Sequence, residues 1–186
     1  MKKQLSLITL GMSAMLFMPV ISQAKLEDSS EAVINVTGSS SNELSLKEVP
    51  KIEFNTVESS DGLTTADGKM PGQLHVLNTK EDHYWEVTMK VTDFKSDRGM
   101  ISANTLKFEP GESNSSSQIS DLSSVLRPLN WEATGGRVLF KSIGTSDSPK
   151  YAAGDFYQTY KNPKITIQPW TPSGKYTSTL TWNLSR

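Results

Sequence analysis

The chain has 186 residues, no cysteine, and a formal net charge of −1 from 19 basic and 20 acidic residues. Without cysteine, neither disulfides nor thiolate metal sites can form. The nearly neutral balance gives no electrostatic case for nucleic-acid binding, which needs a basic face. A chain of this length can bury a core as one domain, so packing alone must hold the fold.

The first 24 residues have the three-part pattern of a secretory signal peptide. Met1-Lys2-Lys3 is basic, residues 5–21 are mostly apolar, and Ser22-Gln23-Ala24 offers small residues at the −3 and −1 positions of a cut. A retained anchor is the alternative, but the apolar run is at the lower limit for spanning a bilayer. We therefore expect cleavage after Ala24, secretion to the cell surface, and no membrane insertion of the mature protein.

Residues 25–43 are polar and contain one β-prone piece, Val33–Val36, so they predict a mobile leader or an edge strand. From Leu44 onward, short segments place apolar residues at every second position, with turn-forming residues between them. These segments are 52–54, 74–76, 85–91, 106–108, 138–140, 165–167 and 176–184. Period two repeated in this way predicts an all-β fold, an antiparallel β-sandwich (Ig-like or related) with long loops.

Several local predictions accompany this fold. Turns are expected at Asp61-Gly62, Asp67-Gly68 and Pro71-Gly72, and at Asp97-Arg98-Gly99 after the 85–91 strand. Residues 117–126 place apolar side chains at helical spacing but are rich in serine, a weak helix former. We expect at most one short helix there, with a packed loop as the alternative.

Two of the predicted strands carry a tryptophan followed two residues later by an aliphatic residue. These are Trp85-Glu86-Val87 and Trp182-Asn183-Leu184. A spacing of two puts both side chains of each pair on the same face of a strand. The two segments are far apart in the sequence, but a sandwich core would allow them to meet.

The two motifs resemble those of the WxL domain of Gram-positive bacterial surface proteins, which has one Trp-x-Leu motif in its middle and one at its end. Gly174–Thr181 resembles the run typical before the terminal motif, Ile101–Phe108 the strand after the first motif, and Pro50–Phe54 the opening strand. The resemblance covers residues 44–184, within a predicted domain of 44–186. It departs at Val87, where leucine is more usual.

Membership in this family implies a non-enzymatic protein that is exported and binds peptidoglycan noncovalently. It also implies companion surface proteins as partners. The residues that carry the resemblance are Trp85, Val87, Trp182 and Leu184. Their tryptophans have two interpretations: core residues that stabilise the domain, or indole faces that stack on the sugar rings of the wall.

A second aromatic group follows in a stretch interrupted by Gly, Pro and Asn, largely outside the alternating segments. Its members are Tyr151, Phe156, Tyr157, Tyr160 and Trp170, and Trp131 lies in a similar stretch. One interpretation is a long loop packed on the sandwich edge. The other is an exposed recognition surface, for which Tyr157, Tyr160 and Trp170 are the candidates.

No sequence motif indicates catalysis. The two histidines, His75 and His83, are expected to be solvated strand or turn residues, and no nucleophile elbow, zinc-protease motif or phosphate loop is present. We predict no catalytic residue, no metal and no cofactor. Peptidoglycan binding is the favoured function, the alternative is a structural subunit that docks on companion surface proteins, and a glycan hydrolase is least favoured.

Overall fold

The computed structural model describes residues 32–38, 43–58, 60–80, 85–116, 126, 137–141 and 153–185. The signal peptide, His83, Trp131 and Tyr151 lie outside the described residues. The helix candidate 117–126 also lies outside them, except for Leu126. The described chain is all-β. Its helical content is one 3-10 turn, Ala103–Thr105.

Twelve strands are described. They are β1 Ala32–Gly38, β2 Leu44–Glu48, β3 Glu53–Phe54, β4 Thr64–Lys69, β5 Leu74–Asn78, β6 Glu86–Val91, β7 Phe94–Lys95, β8 Met100–Ile101, β9 Lys107–Ser115, β10 Arg137–Lys141, β11 Gly154–Ile167 and β12 Ser178–Ser185.

The strands form two main sheets and a small two-stranded one. The first sheet has the order β1-β12-β6-β10, and the second has the order β2-β5-β11-β4-β3, with β9 also paired to β11; β7 and β8 form the third. Pairing is antiparallel except between β1 and β12, which run parallel. The predicted all-β fold of antiparallel sheets with little helix is confirmed.

The longest strand, β11, organises the second sheet. Its first part pairs with β5 and its last part with β4, while β9 runs along its other edge. Between these two parts lies Asn162, whose φ of 55° puts it in the left-handed region. Asparagine is among the few non-glycine residues that adopt this conformation readily, so one strand can change partners at this position.

Aromatic contacts link the elements around the core. The ring of Trp85, just before β6, lies 5.5 Å from that of Phe156 in β11, which joins the two main sheets. Phe54 of β3 meets Phe94 of β7 edge-on at 5.7 Å. The buried faces of both sheets therefore share one sandwich-like core.

Two turn predictions are confirmed and one is wrong. Gly72 has a φ of 85°, as a turn glycine requires, and the Ser96 N–H donates to the Gly99 carbonyl at 3.0 Å across the turn between β7 and β8. Asp67-Gly68, however, lies inside β4. A Cβ on Gly68 would lie 2.3 Å from the Glu53 carbonyl oxygen, so this glycine permits the close approach of β3 rather than a turn.

Strand β9 also differs from the prediction. The sequence pattern predicts a strand over residues 106–108, yet β9 passes through Pro110-Gly111 and continues to Ser115. Its pairing with β11 shifts register around Thr159, and a Cβ on Gly111 would lie 2.4 Å from the Thr159 Oγ1. Glycine at this irregularity lets the two strands come together without ending either.

Candidate functional site

The two Trp-x-aliphatic motifs lie on adjacent strands of the first sheet. In the antiparallel pairing of β6 with β12, Leu184 is the partner of Val87 and Trp182 is the partner of Met89. Burial alternates along both strands, so the motif side chains all point to the same inner face. The two segments therefore meet in one core, as the sequence analysis predicts.

The motif side chains are fully inside the protein. Trp85, Val87 and Trp182 have 0% exposure, and Leu184 is also buried. An indole without exposed surface cannot stack on a sugar ring from outside. The structure therefore favours the core interpretation of Trp85 and Trp182 over stacking on the sugar rings of the wall.

Burial of the Trp182 indole N–H has a free-energy cost. Its Nε1–H is buried and has no hydrogen-bond acceptor among the residues described. A buried donor without a partner costs about 1–3 kcal/mol. The large apolar area of the ring outweighs this, since full burial of an aromatic side chain contributes a comparable or larger amount.

The described members of the second aromatic group lie mostly in a strand. Phe156, Tyr157 and Tyr160 lie in β11, and Trp170 lies beyond the end of that strand. Phe156 and Tyr160 point inward, so Tyr160 is 4% exposed and does not belong to a recognition surface. Its ring packs edge-on against Phe108 at 5.4 Å, and burial raises the pKa of its hydroxyl well above the usual value.

A buried polar residue explains why the sequence pattern did not predict the first part of this strand. Gln158 occupies the inward position between Phe156 and Tyr160 and has no exposed surface. Its amide is satisfied, because Oε1 accepts from the Ser113 hydroxyl and Nε2 donates to the Thr159 carbonyl at 2.7 Å. A hydrogen-bonded glutamine can be buried at modest cost, but it interrupts apolar alternation.

Tyr157, on the outer face of the second sheet, belongs to a cross-strand cluster. Its ring stacks on His75 of β5 at 4.4 Å between centroids, and His75 Nε2 lies 2.7 Å from Asp155 Oδ1. The Asp155 N–H donates to the Ser116 hydroxyl at 2.8 Å. His75 therefore lies in a strand, as expected, but its partly exposed ring is held by Asp155 and Tyr157 rather than being simply solvated.

The cluster of Ser116, Asp155 and His75 is not arranged as a Ser-His-Asp catalytic triad. Ser116 contacts Asp155, with Oγ 3.4 Å from Oδ2, whereas a serine nucleophile needs the imidazole beside it. Among the described residues no group of three or more His, Asp or Glu side chains could hold a metal. In the same part of the chain, no helix has the length and hydrophobicity to cross a membrane.

The remaining member, Trp170, is 75% exposed in the turn that follows β11. Its φ of 61° is left-handed, which is uncommon for a bulky residue. Across the turn, Thr171 donates twice to the Gln168 carbonyl, from its N–H at 3.3 Å and from its hydroxyl at 2.7 Å. Of the three aromatic candidates, Trp170 alone presents most of its surface to solvent.

No protein-family model, curated protein or solved structure matches this chain. The motifs and the geometry described above are therefore what supports a function.

Proposed function

We propose that this is an exported, non-enzymatic surface protein of a Gram-positive bacterium that binds peptidoglycan noncovalently through a WxL-like domain over residues 44–186. The N-terminal signal-peptide pattern supports export. The observation that carries the proposal is the direct pairing of Val87 with Leu184. It makes the two motifs of the resemblance parts of one structural unit.

In this proposal the motifs have a structural role. Trp85 and Trp182 fill the core behind β6 and β12 and hold the sheet in shape. Wall contacts are made by side chains on the surface that this core supports, as is usual for binding sites on β scaffolds. Truncation of either tryptophan to alanine should therefore abolish wall binding to the extent that it unfolds the domain.

The test is co-sedimentation of the mature protein, residues 25–186, with purified peptidoglycan. The protein should pellet with the wall material and stay in solution without it. Protein that remains wholly in the supernatant at all wall concentrations would refute the proposal. Release of reducing ends from the wall during incubation would instead indicate a glycan hydrolase.

A structural subunit that docks on companion surface proteins is the second candidate. One observation favours it: β1 stands at the end of the first sheet, and within the described chain its sheet neighbour is β12. A strand at a sheet edge can pair with a strand of another protein. Pairing with a purified companion in the absence of glycan, together with no sedimentation on peptidoglycan, would favour this candidate.

A further inference from the structure

We infer that Trp170 is the principal sugar contact of the protein, with its indole stacked on a ring of the peptidoglycan glycan strand. The inference rests on the proposed function and names the surface that performs it. The turn that carries this residue, residues 168–174, is called the Trp170 turn below.

Exposure is the first argument. The two motif tryptophans are fully buried, whereas Trp170 leaves three quarters of its surface in water. An aromatic ring of this size gains most from burial, yet the described residues leave this one largely uncovered. A flat apolar ring open to solvent provides the surface on which the C–H face of a sugar can pack.

Rigidity is the second argument. The left-handed backbone at Trp170 is unfavourable for a bulky residue and persists because its surroundings fix it. Pro169 and Pro172 flank the position, Thr171 closes the turn onto Gln168, and the Tyr176 hydroxyl donates to the Pro172 carbonyl at 2.7 Å. A turn whose backbone is fixed before binding loses little backbone conformational entropy when a ligand arrives.

The third argument is the polar neighbourhood. The turn between β7 and β8 touches the Trp170 turn: a Cβ on Gly99 would lie 3.1 Å from Pro172 Cδ, and one on Gly174 would lie 3.8 Å from Asp97 Oδ1. Asp97 and Arg98 on that turn are exposed. They supply hydrogen-bond acceptors and donors for sugar hydroxyls on the turn that contacts the Trp170 turn.

A protein-docking patch is the competing use of this surface. Leu63 and Met100 are also exposed; Leu63 precedes Thr64, the partner of Ile167, and Met100 follows Gly99. Both therefore lie toward the same end of the fold. Asp97 argues for sugar, because its exposed carboxylate can accept hydrogen bonds from sugar hydroxyls and because aspartate is depleted from protein interfaces.

The test compares substitutions at Trp170 by sedimentation of the mature protein with purified peptidoglycan. Trp170→Ala should weaken the apparent affinity by about tenfold. Trp170→Phe should retain much of the binding, while Trp170→Leu, apolar but not aromatic, should resemble Trp170→Ala. Circular dichroism should show the same fold in all of them, because the side chain packs little within the domain.

The controls are Leu63→Ala and Met100→Ala, which should bind like the unaltered protein. Unchanged binding by Trp170→Ala would overturn the inference, and so would equal binding by the Leu and Phe variants. A similar loss in all three alanine variants would also overturn it in favour of an apolar docking patch. Failure of the unaltered protein to sediment would instead refute the proposed function.

Discussion

Val87 of β6 and Leu184 of β12 are direct partners in the antiparallel pairing of their strands. Each is the third residue of a Trp-x-aliphatic motif, and each is buried. Because the strands run in opposite directions, Trp85 lies on one side of this aliphatic pair and Trp182 on the other. The two motifs thus form one continuous strip of core along the first sheet.

A double-mutant cycle at this pair measures whether the motifs act as a unit. Val87→Ala alone should destabilise the fold by about 1–3 kcal/mol, and Leu184→Ala alone by about 2–5 kcal/mol. Because the side chains share a face and a register, the double variant should deviate from the sum by at least about 0.5 kcal/mol. Urea unfolding followed by far-ultraviolet circular dichroism gives all three values. Strict additivity would mean that the two side chains do not pack on each other.

Substitutions at Trp182 distinguish a role in core packing from a role in ligand contact. Trp182→Ala should cost about 3–5 kcal/mol of unfolding free energy, since it leaves a large cavity. Trp182→Phe should cost clearly less, because the ring is kept and the buried indole N–H without a described partner is removed.

Wall retention of the Trp182 variants should follow the folded fraction measured by urea unfolding in parallel samples. Trp182→Phe should therefore bind peptidoglycan nearly as well as the unaltered protein. A folded Trp182→Phe protein that no longer sediments with the wall would place this indole at the ligand, contrary to its burial.

Gly68 and Gly62 form a matched pair for testing the approach of β3 to β4. In Gly68→Ala the new Cβ would lie 2.3 Å from a backbone oxygen of Glu53 and 2.9 Å from the Phe54 ring, so the strands must separate. We expect a loss of about 1–3 kcal/mol in unfolding free energy. At Gly62 the nearest atom is 4.0 Å away, and Gly62→Ala should change stability by less than about 0.5 kcal/mol. Equal effects of the two substitutions would contradict the described contact.

The sequence pattern predicted those strands whose inner face is uniformly apolar. Along β6, Val87 and Met89 alternate with polar residues, and along β12, Leu180, Trp182 and Leu184 do the same. Alternation of this kind follows directly from burial of one face of a sheet. These strands also carry the motif on which the proposed function depends.

The pattern failed where a polar residue or a glycine has a tertiary reason to be in a strand. Gln158 is buried in β11 because Ser113 of β9, distant in sequence, satisfies its amide. Gly68 and Gly111 lie in strands because neighbouring backbones or side chains approach them. These reasons depend on partners that local sequence does not reveal, so the first part of β11 was mistaken for loop, although its end, residues 165–167, was predicted as a strand.

At the candidate site, too, the sequence predicted some features, and others depended on the tertiary structure. Sequence identified the four motif residues and the three aromatic candidates, yet it could not assign which rings are buried. Tyr160 and Trp170 lie ten residues apart, and both have Pro and Thr nearby in the sequence. Position within β11 buries the first, and the turn after the strand exposes the second.

Tyr160 predicts a dependence of stability on alkaline pH. Its burial raises the pKa of the hydroxyl in the folded state, while the unfolded chain keeps a value of about 10. Below pH 10 the group is neutral in both states, and its contribution to stability is undiminished. As the pH rises above about 10, the unfolded chain releases this proton and the folded protein retains it. The unfolding free energy should therefore fall by up to about 1.4 kcal/mol per pH unit from this residue.

Tyr160→Phe keeps the ring against Phe108 and removes the proton, so its unfolding free energy should decline less steeply over the same range. Urea unfolding at a series of alkaline pH values compares the two proteins, and ionisation of all other groups is common to both. Parallel curves for the two would show that the hydroxyl ionises in the folded protein as readily as in the unfolded chain, which its 4% exposure argues against.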